Sequence, residues 1–166
     1  MPGVEFGGVY IEQLFKNYNF KTVKSHNGYV FDYKKLYKTH YNTLEENVEN
    51  KVITIGGDHS ISLATVASSA KKFGDDLTVI WIDAHADINT RKSSLSGNMH
   101  GMPVASLLNL DNIYNLETIK PEQIIYVGLR DLDDFEVETL EKLNIKNYTS
   151  EFIRRYSIMS VIEDIY

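Results

Sequence analysis

Apolar residues along the chain fall into short continuous runs separated by longer stretches in which they recur every three or four positions, and this alternation predicts the elements. The run Leu77-Thr78-Val79-Ile80-Trp81-Ile82 is apolar on both faces, as in a strand covered by helices on each side, and predicts a central strand. Lys51–Ile55 and Gln123–Leu129 read as further strands, Lys146–Tyr148 as a shorter one, and Phe20–Ser25 as a brief early one. Between them, Leu36, Tyr37, Tyr41, Leu44 and Val48 repeat at helical spacing, with Glu45, Glu46 and Glu49 on the opposite face, so Tyr33–Val48 is a surface helix. Ser60–Phe73 is a second helix, with Ser60 or Ser62 as its cap and Gly74 as its stop. Met102–Leu108 and Glu136–Leu143 follow, then a helical tail over Glu151–Ile165 with Ser157 as the candidate break. Pro2–Tyr18, with Val9, Leu14 and Phe15, reads as a short opening helix. Ile88–Gly101, rich in Ser, Asn, Thr and Gly, reads as a loop.

Strands alternating with helices predict an α/β fold: three layers, α/β/α, around a mostly parallel sheet with right-handed crossovers. In such sheets ligands bind beyond the carboxyl ends of the strands. Long polar loops at those ends are where function usually sits.

Composition narrows the function classes. The 166 residues suit a single domain, and 43% hydrophobic with 24% charged residues is ordinary for a folded soluble protein. A net charge of −6 argues against nucleic acid as the main partner, because phosphate binding wants a basic face. No apolar stretch approaches the roughly 18 residues of a membrane span, and Met1-Pro2-Gly3-Val4-Glu5 lacks a secretory pattern, so cytoplasmic residence is the expectation. The absence of cysteine excludes disulfides and thiolate metal ligands.

Two strings carry candidate chemistry. Asp83-Ala84-His85-Ala86-Asp87 stands at the end of the Leu77–Ile82 run, and Gly56-Gly57-Asp58-His59-Ser60 follows Lys51–Ile55 in the same way. Each has an ordinary reading alone: Asp83 as a cap, His85 and His59 as structural histidines, Asp87 and the glycines as turn residues. Together, two predicted strands deliver carboxylates and imidazoles to a common edge, beside a polar loop carrying Ser96-Gly97-Asn98-Met99-His100-Gly101. Hard oxygens mixed with imidazole nitrogens favour manganese, with iron(II), cobalt or zinc as alternatives.

These strings, with Asp87-Ile88-Asn89-Thr90, His100-Gly101-Met102-Pro103 and Gly128-Leu129-Arg130-Asp131-Leu132-Asp133, resemble the arginases, manganese ureohydrolases that split L-arginine into ornithine and urea. They occur in the family's order and cover most of Pro2–Thr149. Asp87-Ile88-Asn89 and the Ser96-Gly97-Asn98 loop look like arginase more than agmatinase or formiminoglutamase. The resemblance implies that His59, Asp83 and Asp87 ligate one manganese and His85 the second, with Asp83 bridging. Water activated between the two ions attacks the guanidinium carbon in that family, a use of paired metals to lower the pKa of water and orient it. The resemblance further implies His100 as proton shuttle, Asn89 and Ser96 as holders of the substrate α-carboxylate, and Asp133 as acceptor for the α-ammonium, with L-arginine or a related guanidino compound as partner. His100 and Asp133 also have capping readings, and Asn89 and Ser96 loop-shaping ones. Asp134 stands where arginases usually carry proline.

The chain departs from the family in extent. Arginases are considerably longer: their first strand precedes the segment matched by Pro2–Gly8, and a strand bearing a second aspartate pair follows the position of Tyr166, so the expectation is one incomplete arginase-like domain over residues 1–166. Glu163 and Asp164 lack the Ser-Phe-Asp-x-Asp context and read as a solvated face. Asp83 and Asp87 are then the matched anionic ligands, a set that favours one ion over two. Alternatives are an inactive arginase-like fragment, a binding subunit that associates with itself or a partner, and a related ureohydrolase such as agmatinase.

Overall fold

The computed structural model describes residues 10–11, 13–17, 26–27, 30–47, 51–111 and 114–166. Its first elements are a two-residue ladder, β1 (His26–Asn27) antiparallel to β2 (Val30–Phe31). The helix α1 (Tyr33–Glu46) starts at Asp32, whose carboxylate accepts the Lys35 N–H at 3.0 Å and satisfies one of the donors that a helix start leaves open. The helix α2 (Ile61–Phe73) packs on α1. Its inner face is small, with Ala64, Ala67 and Ser68 fully buried, which lets the two backbones approach. His40 Nδ1 meets Ser68 Oγ at 2.6 Å across that seam, and burial lowers the His40 pKa. Gly74, at φ 54°, ends α2 in a conformation that a side chain resists.

A parallel three-stranded sheet holds the centre: β3 (Val79–Ile82), β4 (Ile124–Leu129) and β5 (Asn147–Thr149), in the order β3-β4-β5. The short helix α3 (Pro103–Leu107) lies between β3 and β4 in the chain, α4 (Asp134–Lys142) between β4 and β5, and α5 (Ser150–Tyr156) and α6 (Ile158–Ile165) follow. On one face Trp81, Ile124 and Tyr126 join Leu63 and Ala67 of α2, Val104 and Leu107 of α3, and Leu140 of α4 in the main core. On the other, Val127 and Tyr148 pack with Val161 of α6, and Ile125, Ile153 and Ile165 surround them. Helices on both faces of a parallel sheet make the expected three-layer arrangement. Three expected strands are in place within a residue or two, and Ser157, at φ 79°, breaks the tail into α5 and α6.

Three expectations differ. Lys51–Ile55 forms no strand: among the described residues it has no ladder partner, and Ile53 and Ile55 are exposed. Consequently β3 is an edge and β4 the central strand, contrary to the reading of Leu77–Ile82. With a two-residue side-chain period, Val79 and Trp81 face the main core while Ile80 and Ile82 point to the other face, where they are 48% and 77% exposed because the smaller apolar cluster gathers over β4 and β5. Asp164 is more than a solvated acid: its carboxylate accepts the Tyr148 hydroxyl and pairs with Lys146 Nζ at 3.0 Å, which ties α6 to β5. Of the expected Pro2–Tyr18 helix, residues 10–11 and 13–14 are helical and 15–17 form a turn; its other residues, like Phe20–Ser25, lie outside the described residues.

Gln123 locks the start of β4 to the start of β3. Its buried amide donates to the carbonyls of Gly74 (2.9 Å) and Leu77 (3.0 Å) and accepts the Lys120 N–H at 2.9 Å. Gln123→Leu keeps the volume and removes the side-chain partner of the Leu77 carbonyl and the Lys120 N–H, leaving the Gly74 carbonyl with the Leu77 N–H, so we expect a loss of about 2 kcal/mol in unfolding free energy by urea titration. A change below about 0.5 kcal/mol would show that water replaces the amide at no cost.

Candidate metal centre

The site is assembled where β3 and the turn before α2 meet. In that turn Asp58 Oδ1 accepts the Ser60 N–H at 3.0 Å, and the His59 carbonyl accepts from the Ser62 N–H (3.0 Å) and hydroxyl (2.6 Å), so the first turn of the helix fixes the His59 backbone. The imidazole lies on the Trp81 indole, with ring centroids 4.7 Å apart at 31°. Asp83 follows β3 directly. Its N–H donates to Val127 at 3.2 Å, and the Ala84 carbonyl accepts from the N–H groups of Arg130 (2.9 Å) and Asp131 (3.1 Å), which ties the ligand segment to the end of β4. The register of β4 shifts there, and Gly128, at φ 98°, lets the Asp83 carbonyl approach to within 3.4 Å of where a Cβ would stand.

His59, Asp83 and Asp87 converge. Nδ1 of His59 is 2.8 Å from Asp87 Oδ2 and 3.1 Å from Asp83 Oδ2, and the three side chains place one ligand atom each within 4.8 Å of the others. Asp87 is 5% exposed, and its Oδ2, fully withdrawn from solvent, has no aligned hydrogen-bond donor even though His59 is at bonding distance. A buried carboxylate oxygen without a donor is costly, and a cation between these three groups relieves it. One imidazole nitrogen and two carboxylates suit a divalent ion of the manganese, iron, cobalt or zinc class. The Asp87 carboxylate, more than any other group, raises the His59 pKa; burial opposes it, and Asp83 and Asp58 add to it.

The other predicted residues stand around this group. His85 lies outside the three-ligand set but against the second oxygen of Asp83, with Nδ1 3.4 Å from Oδ1, and its Nε2 is 3.3 Å from Asp131 Oδ2. His100 sits on the 3₁₀ turn Met99–Gly101 with Nδ1 3.8 Å from Asp58 Oδ2. Asn89 is buried and donates through Nδ2 to Asp133 Oδ2 at 2.6 Å, while its Oδ1 accepts the Ser93 hydroxyl at 2.7 Å. Ser96 is exposed, and its hydroxyl accepts the Asn98 N–H at 3.2 Å. Asp133 caps α4: it accepts the Glu136 N–H at 3.0 Å, and Glu136 answers by accepting the Asp133 N–H at 3.3 Å.

Sequence reasoning did not single out Asp58, Ser93, Asp131, Tyr126 or Glu136. The Asp133-x-x-Glu136 spacing is a capping-box signal that could have drawn attention to Glu136. Tyr126, in a strand, reads as an ordinary core residue, and nothing in the sequence marks its hydroxyl.

Comparison with known proteins places these features. The sequence model described as the Arginase family matches residues 3–166. The chain is 43% identical to an arginase of Bacillus subtilis over 118 residues, which are 68% of this chain and 40% of that protein. Among solved structures, an Entamoeba histolytica arginase in complex with L-ornithine superposes with a TM-score of 0.83 at 33% identity, covering 99% of this chain and 64% of that one. A Bacillus subtilis arginase gives 0.81 at 34%, covering 99% and 63%. The chain thus spans about two fifths of the length of the curated relatives it matches.

The His59 shift sets a pH dependence. A histidine whose folded pKa is raised stabilises the fold fully below its unfolded value, near pH 6.5, and loses that contribution as pH rises through the folded value. In chelator-treated protein the stability difference between wild type and His59→Gln is therefore expected to be largest near pH 6 and to shrink toward about pH 9 in thermal melts. Divalent metal affinity is expected to run the opposite way, because only the neutral imidazole ligates. A His59→Gln difference that stays constant over this range would contradict the arrangement.

Proposed function

The chain belongs to the arginase family, and on that premise we propose that it is an arginase-type ureohydrolase: a manganese-dependent hydrolase that converts the guanidinium group of L-arginine to urea and releases ornithine. The observation that carries the reading is the convergence of His59, Asp83 and Asp87 around a buried carboxylate oxygen that lacks a donor. The likeness to an arginase whose structure holds L-ornithine supports a guanidino substrate.

His59, Asp83 and Asp87 would hold one ion, and His85, on the outer oxygen of Asp83, stands where a second would share that carboxylate. When bound, a divalent cation supplies Lewis acidity and activates water as a nucleophile near neutral pH. The remaining steps fall to the protein's own groups. His100, partly open to solvent and close to the Asp58 carboxylate, moves a proton between the reacting nitrogen and bulk water. Asp133 has one oxygen held by the Glu136 N–H and the other by Asn89 Nδ2, so its carboxylate is oriented and its remaining lone pairs receive the α-ammonium. The second Nδ2 hydrogen of Asn89 and the exposed Ser96 hydroxyl receive the α-carboxylate. Ser93, by donating to Asn89 Oδ1, fixes which end of that amide faces Asp133. We read residues 1–166 as one arginase-like domain, and the described part contains no helix long and apolar enough to cross a membrane.

The test uses the purified chain, reconstituted with manganese, with metal content, urea release from L-arginine and agmatine, and formamide release from formimidoylglutamate measured. Manganese-dependent urea release is expected from arginine above the other two, and Asp87→Asn is expected to lower metal content and cut turnover on the order of 100-fold or more. Metal uptake with no hydrolysis of any of the three would overturn the hydrolytic reading, and preference for agmatine or formimidoylglutamate would reassign the substrate.

A further inference from the structure

We infer that Tyr126 and Glu136 are positioning residues that hold the ligand Asp87 in a left-handed backbone conformation by bonding the peptide groups on either side of it. The inference rests on the metal centre proposed above and adds how the fold builds it.

Asp87 has φ 51°, a region that a residue with a Cβ adopts only when its surroundings impose it. The surroundings do so from three directions. On the N-terminal side the Ala86 carbonyl accepts the Tyr126 hydroxyl at 2.6 Å, from the middle of β4. On the C-terminal side the Glu136 carboxylate, in the first turn of α4, lies close enough to the Ile88 N–H for that donor to pull its pKa down. The Asp87 carbonyl itself accepts the Val104 N–H at 3.0 Å, at the start of α3. Ala86, Ile88, Tyr126 and Val104 are fully buried, and Glu136 is 5% exposed, so water does not compete for these bonds. Three elements distant in sequence thus hold the two peptide groups that flank the Asp87 Cα, Ala86–Asp87 through its carbonyl and Asp87–Ile88 through its carbonyl and its N–H. With both groups held, the Cα–Cβ direction of Asp87 is set.

A buried tyrosine needs some partner for its hydroxyl, so a merely structural role for Tyr126 has to be separated from a positioning one. Tyr126→Phe removes only the hydroxyl. In the metal-free protein the amide hydrogens of Ile88 and Val104 are expected to exchange about tenfold faster or more in this variant, while those in the middle of α2 keep their protection. The manganese dissociation constant, followed by quenching of the sole tryptophan, Trp81, which lies against His59, is expected to rise about tenfold or more. Glu136→Leu should act in the same direction. Leu140→Ala, a core truncation one turn beyond Glu136 on α4 that removes no hydrogen-bonding group, provides the comparison: it lowers stability but should leave the manganese affinity within about twofold. Unchanged exchange at Ile88 and Val104 overturns the inference, as does a Tyr126→Phe affinity no weaker than that of Leu140→Ala. If wild type takes up no manganese, the proposed centre fails, and amide exchange in the metal-free protein still decides whether Tyr126 and Glu136 hold Asp87.

Discussion

The structure turns on a carboxylate that is out of water. Asp87 is buried, one of its oxygens has no aligned donor, and the nearest cationic group is an imidazole 2.8 Å away. Removing an ionised carboxylate from water costs several kcal/mol unless charge or hydrogen bonds replace the hydration. Only part of that replacement is present in the chain itself: the His59 pKa rises so that the ring carries charge over a wider pH range, and Asp83 and Asp58 compete for the same ring. A divalent ion between His59, Asp83 and Asp87 would complete the replacement. The local electrostatics therefore ask for a cation independently of any likeness to other proteins.

That demand can be met only because the sheet brings the ligands together. Asp83 comes from the carboxyl end of β3 and is pinned to β4 through Val127, and its neighbour Ala84 is pinned to Arg130 and Asp131 just beyond β4, while His59 comes from the turn that starts α2. The contact between His59 and Trp81 is the hinge between these two parts, since Trp81 belongs to β3 and faces the core that α2 covers. Gly128 marks where the sheet gives way to the site: its φ of 98° accommodates the bulge that opens β4 beside Asp83. Parallel strands of this kind collect their loops at one edge, which is why two short strings far apart in sequence meet.

Much of this was legible in the residue pattern, for identifiable reasons. The helices over 33–46 and 61–73 carry strong periodicity and clear stops, and β4 is an uninterrupted apolar run, so local preference and tertiary packing agree. Asp83, Asp87 and His59 were readable because acids and imidazoles at a strand end have few other uses at that density. Lys51–Ile55 was misread because a strand exists only through its ladder partner, and β-propensity says nothing about whether a partner is present. The edge position of β3 follows from the same omission. Ile80 and Ile82 look like core residues in the sequence, and whether they are covered depends on what packs on that face rather than on themselves. Tyr126 and Ser93 were invisible for another reason: each acts through a hydroxyl aimed at a group dozens of positions away or across a loop, and side-chain direction leaves no trace in hydropathy.

The segment from Asp83 to Ser93 serves both halves of the proposed chemistry, and α4 couples them. Asp83 and Asp87 face the cation site, Asn89 reaches Asp133, and Ser93 orients Asn89, all within one stretch of chain. Glu136 touches both ends of that arrangement, since its carboxylate accepts the Asp133 N–H at the helix cap and lies beside the Ile88 N–H next to Asp87. Burial raises the Glu136 pKa, the neighbouring Asp133 and Asp87 carboxylates add to the rise, and the N–H groups of Asp133 and Ile88 offset only part of it. A displacement of the α4 start therefore moves the metal ligand and the Asn89–Asp133 pair together. Such sharing would keep the distance between the proposed cation and substrate groups independent of flexing elsewhere in the loop. A hydrolase whose nucleophile and substrate are held by different side chains needs that constancy, because small errors in their separation are costly to catalysis.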